Sequence, residues 1–266
     1  MSAPAADGDA CRMTNTRSEQ PAGRDLEHEP TTPRRLDPRL SPAPTAVENP
    51  LVDVRDMIVV HTAMLREFRL APRAVARVPT GAHRAARRVD AHLQLMCDLL
   101  HHHHTGEDEL LWPPLRALLT ADDLARLEEA QAQHTDIDRA LERVGRARQR
   151  WTTDVDDASR DFLITALDEL LGLLVTHLDT EERELLPLAA AHLTPAQWAA
   201  VGAAGAASVP KSKMLLVFGM FAYEGDPDVL RTMLESAPPP ARGIVPLLAP
   251  RIYARYARRL HGTPRP

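Results

Sequence analysis

Two stretches of this chain place a carboxylate four residues after a histidine: His103-His104-Thr105-Gly106-Glu107 and His177-Leu178-Asp179-Thr180-Glu181. Each carboxylate is followed six residues later by a proline, Pro113 and Pro187. On a helix, residues i and i+4 share one face, one turn apart. Either stretch therefore offers an imidazole and a carboxylate side by side, a donor pair suited to a metal ion. Two more histidines lie upstream at matching distances. His61 is 42 residues before His103, His134 is 43 residues before His177, and both open the dipeptide His-Thr. The chain thus carries a weak internal repeat, each half a histidine followed by His-x3-Glu-x5-Pro. One helical hairpin per repeat makes a four-helix bundle, and metal sites in such bundles are built from inward side chains on all four helices.

The elements that must hold these groups are legible as helices. Hydrophobic residues make up 44% of the chain but aromatics only 4%, which favours helices over sheets, where β-branched and aromatic residues concentrate. Asn49-Pro50 is a fitting cap and first helical residue. Val54, Ile58, His61, Leu65 and Phe68 then form an apolar stripe at spacings of four and three, and Ala71-Pro72 is the expected end. A second helix is expected over 83–112, with Val89, Leu93, Met96, Leu100, His103, Glu107 and Leu110 in one unbroken stripe. Glu107 is the informative member, because a buried carboxylate without a partner costs several kcal/mol or changes its protonation state. A bound cation removes that problem. Thr120 caps a third helix over 122–149, whose inward face holds Leu127, Gln131, His134, Ile137 or Asp138, Leu141 and Val144. A fourth, over 156–186, carries Leu163, Leu170, Leu174, His177 and Glu181.

The flanks read differently. Residues 1–49 are rich in proline and charge without a hydrophobic period, which predicts a disordered tail. After Pro187, Thr194-Pro195-Ala196-Gln197 opens a capping box, and short helices are expected over 195–207, 212–223, 227–236 and 243–260. The C-terminal stretch from Arg251 holds five arginines and no acid; it is expected to pack on the bundle and show its arginines to solvent. A net charge of −5 gives no general attraction to nucleic acid or anionic membrane. The longest apolar run, Met214 to Tyr223, is too short to span a bilayer. The N-terminus shows no signal-peptide pattern, and Cys11 and Cys97 imply no disulfide framework. The expected location is the cytoplasm.

His61, His103-x3-Glu107, His134 and His177-x3-Glu181 together resemble the hemerythrin-like, HHE cation-binding family, over roughly residues 51–190. The organisation expected is all-α: a tail at 1–49, an up-down four-helix bundle at 50–190 and a helical extension of unassigned role at 191–266. The resemblance implies two non-haem iron ions joined by an oxo or hydroxo group. His61, His103, His134 and His177 become terminal ligands, and Glu107 and Glu181 bridge the ions. Oxygen-carrying members have a further histidine one turn after the one in the third helix, where this chain has Asp138. The iron that lacks it takes a carboxylate, water or the adjacent His104, so His104 and Asp138 are further candidate ligands.

Two function classes follow. One is a protein that binds or senses O2, NO or iron, relaying a signal to a protein partner through the tail or the C-terminal helices. The other is a di-iron oxidoreductase acting on peroxide or NO at a site left open by the absent histidine. A ferritin-like oxidase fits poorly, since the chain holds no Glu-x-x-His pair. A zinc hydrolase fits poorly too, since His-Glu-x-x-His is absent.

Overall fold

A computed structural model describes residues 49–266, so the tail expected at 1–49 lies almost wholly outside the described residues. Among those described there are helices and no strand. The first four helices form the bundle. They are α1 (Arg55–Ala76), α2 (His83–Gly106, continued by Glu107–Leu111 and Trp112–Arg116), α3 (Ala121–Asp154) and α4 (Asp157–Thr180, continued by Glu181–Leu185 and Leu186–His192). Helix α1 packs against α2 and α4, and α3 packs against α2 and α4.

Helix starts follow local chemistry. Thr120 Oγ1 accepts the Asp123 N–H and begins α3, and the Asp156 carboxylate accepts the Ser159 N–H and begins α4. Two expected boundaries of α1 are corrected. Asn49 takes a left-handed φ of 60° instead of a cap conformation. The strand of chain after it is tied to the end of α4, where Leu51 N–H donates to the Ala190 carbonyl at 2.7 Å. The helix starts only after Asp53, whose carboxylate receives the Arg55 N–H and guanidinium. At the other end Pro72 does not stop α1, which runs on to Ala76. Burial of Ala71, Ala74 and Val75 on the continuing turn outweighs the hydrogen bond that proline removes.

The extension adds α5 (Pro195–Ser208), α6 (Met214–Phe221), α7 (Pro227–Met233) and α8 (Pro239–His261). The capping box at Thr194 and Gln197 is present with both of its bonds. Helices α6 and α8 cross closely at Gly219, where an added methyl would run into the Ala249 carbonyl and lie 2.8 Å from Tyr253 Cβ. Leu216, Val217, Met220, Tyr253, Ala257 and Leu260 join the bundle's main apolar cluster, so extension and bundle share one core. Arg251, Arg255, Arg258, Arg259 and Arg265 point to solvent, as expected.

Two apolar clusters divide the bundle, and a polar layer lies between them. Met64, Leu100, Ile137 and Leu174 belong to the larger cluster. Met57, Leu111, Ala130 and Leu185 belong to the smaller. His61, His104, His134, and His177 with Glu181 fall between these pairs along α1, α2, α3 and α4. Apolar packing on both sides thus holds a layer of imidazoles and carboxylates at one depth.

Candidate metal centre

Each His-x3-Glu stretch ends in a widened π turn, Glu107–Leu111 on α2 and Glu181–Leu185 on α4. The Trp112 N–H donates to the Glu107 carbonyl and the Leu186 N–H to the Glu181 carbonyl, five residues back in both cases. The following prolines, Pro113 and Pro187, explain the widening. A proline ring in a regular helix strikes the carbonyl four residues earlier, and an extra residue in the turn relieves that clash. Both glutamates therefore sit where the helix changes pitch.

His61, His103, Glu107, His134, His177 and Glu181 converge. Their donor atoms fall into two groups, His61, His103, Glu107 and Glu181 in one and His104, Glu107, His134 and His177 in the other. Glu107 belongs to both. Its Oε1 lies 3.1 Å from His103 Nε2, and its Oε2 lies 3.5 Å from His134 Nε2. Glu181 Oε2 lies 3.6 Å from His61 Nε2 and 3.7 Å from His177 Nε2. The two carboxylates thus span the gap between the groups from opposite helices. His104 joins through ring stacking on His134, with centroids 4.1 Å apart. Asp138 is not brought in. It is exposed on the outer face of α3, 3.6 Å from His101 at the surface, while Ile137 takes the inward position.

The outer ring nitrogens are held by groups that sequence reasoning did not single out. His61 Nδ1 donates to Glu182 at 3.0 Å, His134 Nδ1 to Asp108 at 3.1 Å and His177 Nδ1 to Gln133 Oε1 at 3.1 Å. These acceptors are oxygens without a proton to give, so each ring carries its proton on Nδ1. In the neutral ring the bare Nε2 then faces inward, the orientation that supporting groups impose on metal-binding imidazoles. A signal was available, since each of the two buried glutamates is followed directly by a second acid, Asp108 or Glu182. Gln133 had no such mark.

The interior fits a cation and fits poorly without one. All four oxygens of Glu107 and Glu181 are buried with no hydrogen-bond donor, and so are both ring nitrogens of His104. Burial, and then the facing Glu181, push the Glu107 carboxyl well above the usual carboxylate range; burial also raises Glu181. Burial, and then neighbouring imidazoles, push His103, His104 and His177 down, so they stay neutral. His61 is the exception, because Glu181 and Glu182 outweigh burial and raise it. The inward nitrogens also pair closely, with His61 and His103 Nε2 atoms 3.0 Å apart and His134 and His177 Nε2 atoms 3.1 Å apart. In the second pair both rings carry their protons on Nδ1, so the facing lone pairs repel at that range. A spacing of about 3.0 Å is instead what two ligands at right angles take on an ion about 2.1 Å from each.

Cys97 is buried apart from these groups, and burial pushes its thiol up to about 11, as befits an inert core residue. Among the described residues no helix is long and apolar enough to cross a membrane. No curated protein and no solved structure matches the chain. The family model of the hemerythrin HHE cation-binding domain matches residues 52–189, which begin just before α1 and end within the last turns of α4. That match covers more than half of the sequence and all seven converging histidines and glutamates, so the chain belongs to the hemerythrin HHE cation-binding family.

Proposed function

We propose that this protein holds two non-haem iron ions and uses them to bind or sense a small diatomic ligand, O2 or NO. The observation that carries the reading is the division of Glu107 between two donor groups, one oxygen toward each. His61, His103, Glu107 and Glu181 would hold one ion, and His104, His134 and His177, again with Glu107, the other. On this reading His104 supplies from α2 the imidazole that α3 lacks at Asp138. Imidazole and carboxylate together suit iron, with the fixed geometry setting selectivity.

Bound iron would supply an open coordination position and a reversible one-electron couple. The chain's own groups do the rest. Asp108, Glu182 and Gln133 keep the imidazoles in the binding tautomer. The two apolar clusters keep bulk water from the layer. Full burial of His61, Glu107, His177 and Glu181 favours a ligand as small and neutral as a diatomic gas. Stopped-flow spectra of the reduced, iron-loaded protein test this. A rapid spectral change with O2 or NO, absent in a Glu107→Ala/Glu181→Ala variant, is the expected result. Spectra unchanged by either gas would overturn the gas-binding reading.

A further inference from the structure

A second group of buried donors lies outside this centre: Glu67 on α1, His92 on α2 and His261 at the end of α8. The two oxygens of the Glu67 carboxylate are differently placed. Glu67 Oε1 is saturated, accepting from Arg66 Nε at 3.1 Å, Arg66 Nη2 at 3.0 Å and the Tyr253 hydroxyl at 2.5 Å. Glu67 Oε2 has no donor. It faces His92 Nε2 at 3.4 Å and His261 Nε2 at 3.6 Å. His92 is fully buried, and neither of its ring nitrogens has a partner; His261 Nε2 has none either.

These separations are long for hydrogen bonds. They match the spacing of ligands around a tetrahedral ion, about 3.3–3.6 Å for bonds of about 2.0–2.2 Å. We infer that Glu67, His92 and His261 form a second metal site, for a zinc-class divalent cation, that clamps the C-terminal helix to the bundle. Two imidazoles and a carboxylate from three helices leave the fourth position to water.

The surroundings are arranged for this set. Burial pushes the Glu67 carboxyl up, but His261, His92, Arg66 and Tyr253 outweigh it and hold it at about 2. Burial pushes His92 down to about 4. Near neutrality the carboxylate is therefore charged and the imidazole neutral, the forms that ligate. His261 is fixed from its backbone. Arg77 donates to its carbonyl at 2.7 Å, and Gly262 ends α8 in the left-handed conformation with φ 79°. Glu224 accepts from Arg66 Nη1 at 3.0 Å and offsets its charge.

Crystals of the wild-type protein soaked in Zn2+ and measured across the zinc absorption edge locate the ion directly. An anomalous peak among Glu67, His92 and His261 is expected. Equilibrium dialysis with Zn2+ should then show affinity at this site falling in His261→Ala by more than the about 10–100-fold that losing a supporting hydrogen bond costs. The iron content of the first centre should not change. No peak there at saturating Zn2+, or zinc only in the centre around Glu107, overturns the inference. The crystal result needs no variant, so it stands even if His261→Ala does not fold.

Discussion

Replacing Glu107 by leucine should invert the usual sign of a core substitution, and metal should restore it. Glu107 is fully buried and neither carboxylate oxygen has a donor. In metal-free protein these oxygens only destabilise, and burial shows this by raising the carboxyl. An apolar residue of similar volume removes that penalty, worth about 1–4 kcal/mol in comparable buried charged sites. A gain of about 2 kcal/mol in a chain of this size raises Tm by about 4–8 °C. With metal the order reverses. Ions at 1,000 times Kd stabilise the wild type by about 4 kcal/mol, whereas the variant has lost the oxygen pair shared by both donor groups. Thermal unfolding of both proteins, chelated and anaerobically loaded with Fe2+, measures the crossing. A metal-free Glu107→Leu protein less stable than metal-free wild type by the about 2–5 kcal/mol of an ordinary core truncation would refute the reasoning. Equal gains from Fe2+ in both proteins would refute it too.

Other outcomes follow from the same layer and from the packing around it. Asp108→Ala and Glu182→Ala should each weaken iron binding about 10–100-fold in chelator competition while leaving the fold intact; Asp138→Ala should leave it unchanged. In metal-free protein the depressed His103, His104 and His177 contribute stability that is present above pH 6.5 and lost as pH falls below it. The raised Glu107 has the opposite sign, its contribution present below pH 4.5 and lost as pH rises above it. Acidification from pH 6.5 should therefore lower Tm more steeply in Glu107→Leu than in wild type, and parallel profiles would contradict the assignment. Gly219→Ala should cost about 1–3 kcal/mol through overpacking against Ala249, read as a lower Tm and faster proteolysis of α8 with unchanged iron content.

How much of this was readable beforehand depends on where each signal lives in the chain. The four bundle helices and six of the converging side chains were legible because their information is local. Stripes at spacings of three and four set the helices, and a doubled His-x3-Glu set the layer. The π turns were not, since nothing in the His-x3-Glu spacing distinguishes a regular turn from a widened one; the prolines six residues later were the only trace. Pro72 misled because tertiary burial of Ala74 and Val75 overrode a local breaker. Ile137 and Asp138 were indistinguishable by period alone, and burial chose the isoleucine. The Glu67, His92 and His261 group was invisible because its members lie far apart in sequence and meet only when α8 docks.

The central claim is a two-metal centre bridged by Glu107 and Glu181, and iron-edge X-ray absorption with elemental analysis tests it most directly. Anaerobically reconstituted wild type should hold about two irons per chain in nitrogen and oxygen ligation, with iron–iron scattering, as a two-metal site requires. Both features should vanish in Glu107→Ala/Glu181→Ala. Wild-type protein that stays folded yet takes up no iron, or holds a single isolated ion, would contradict the account.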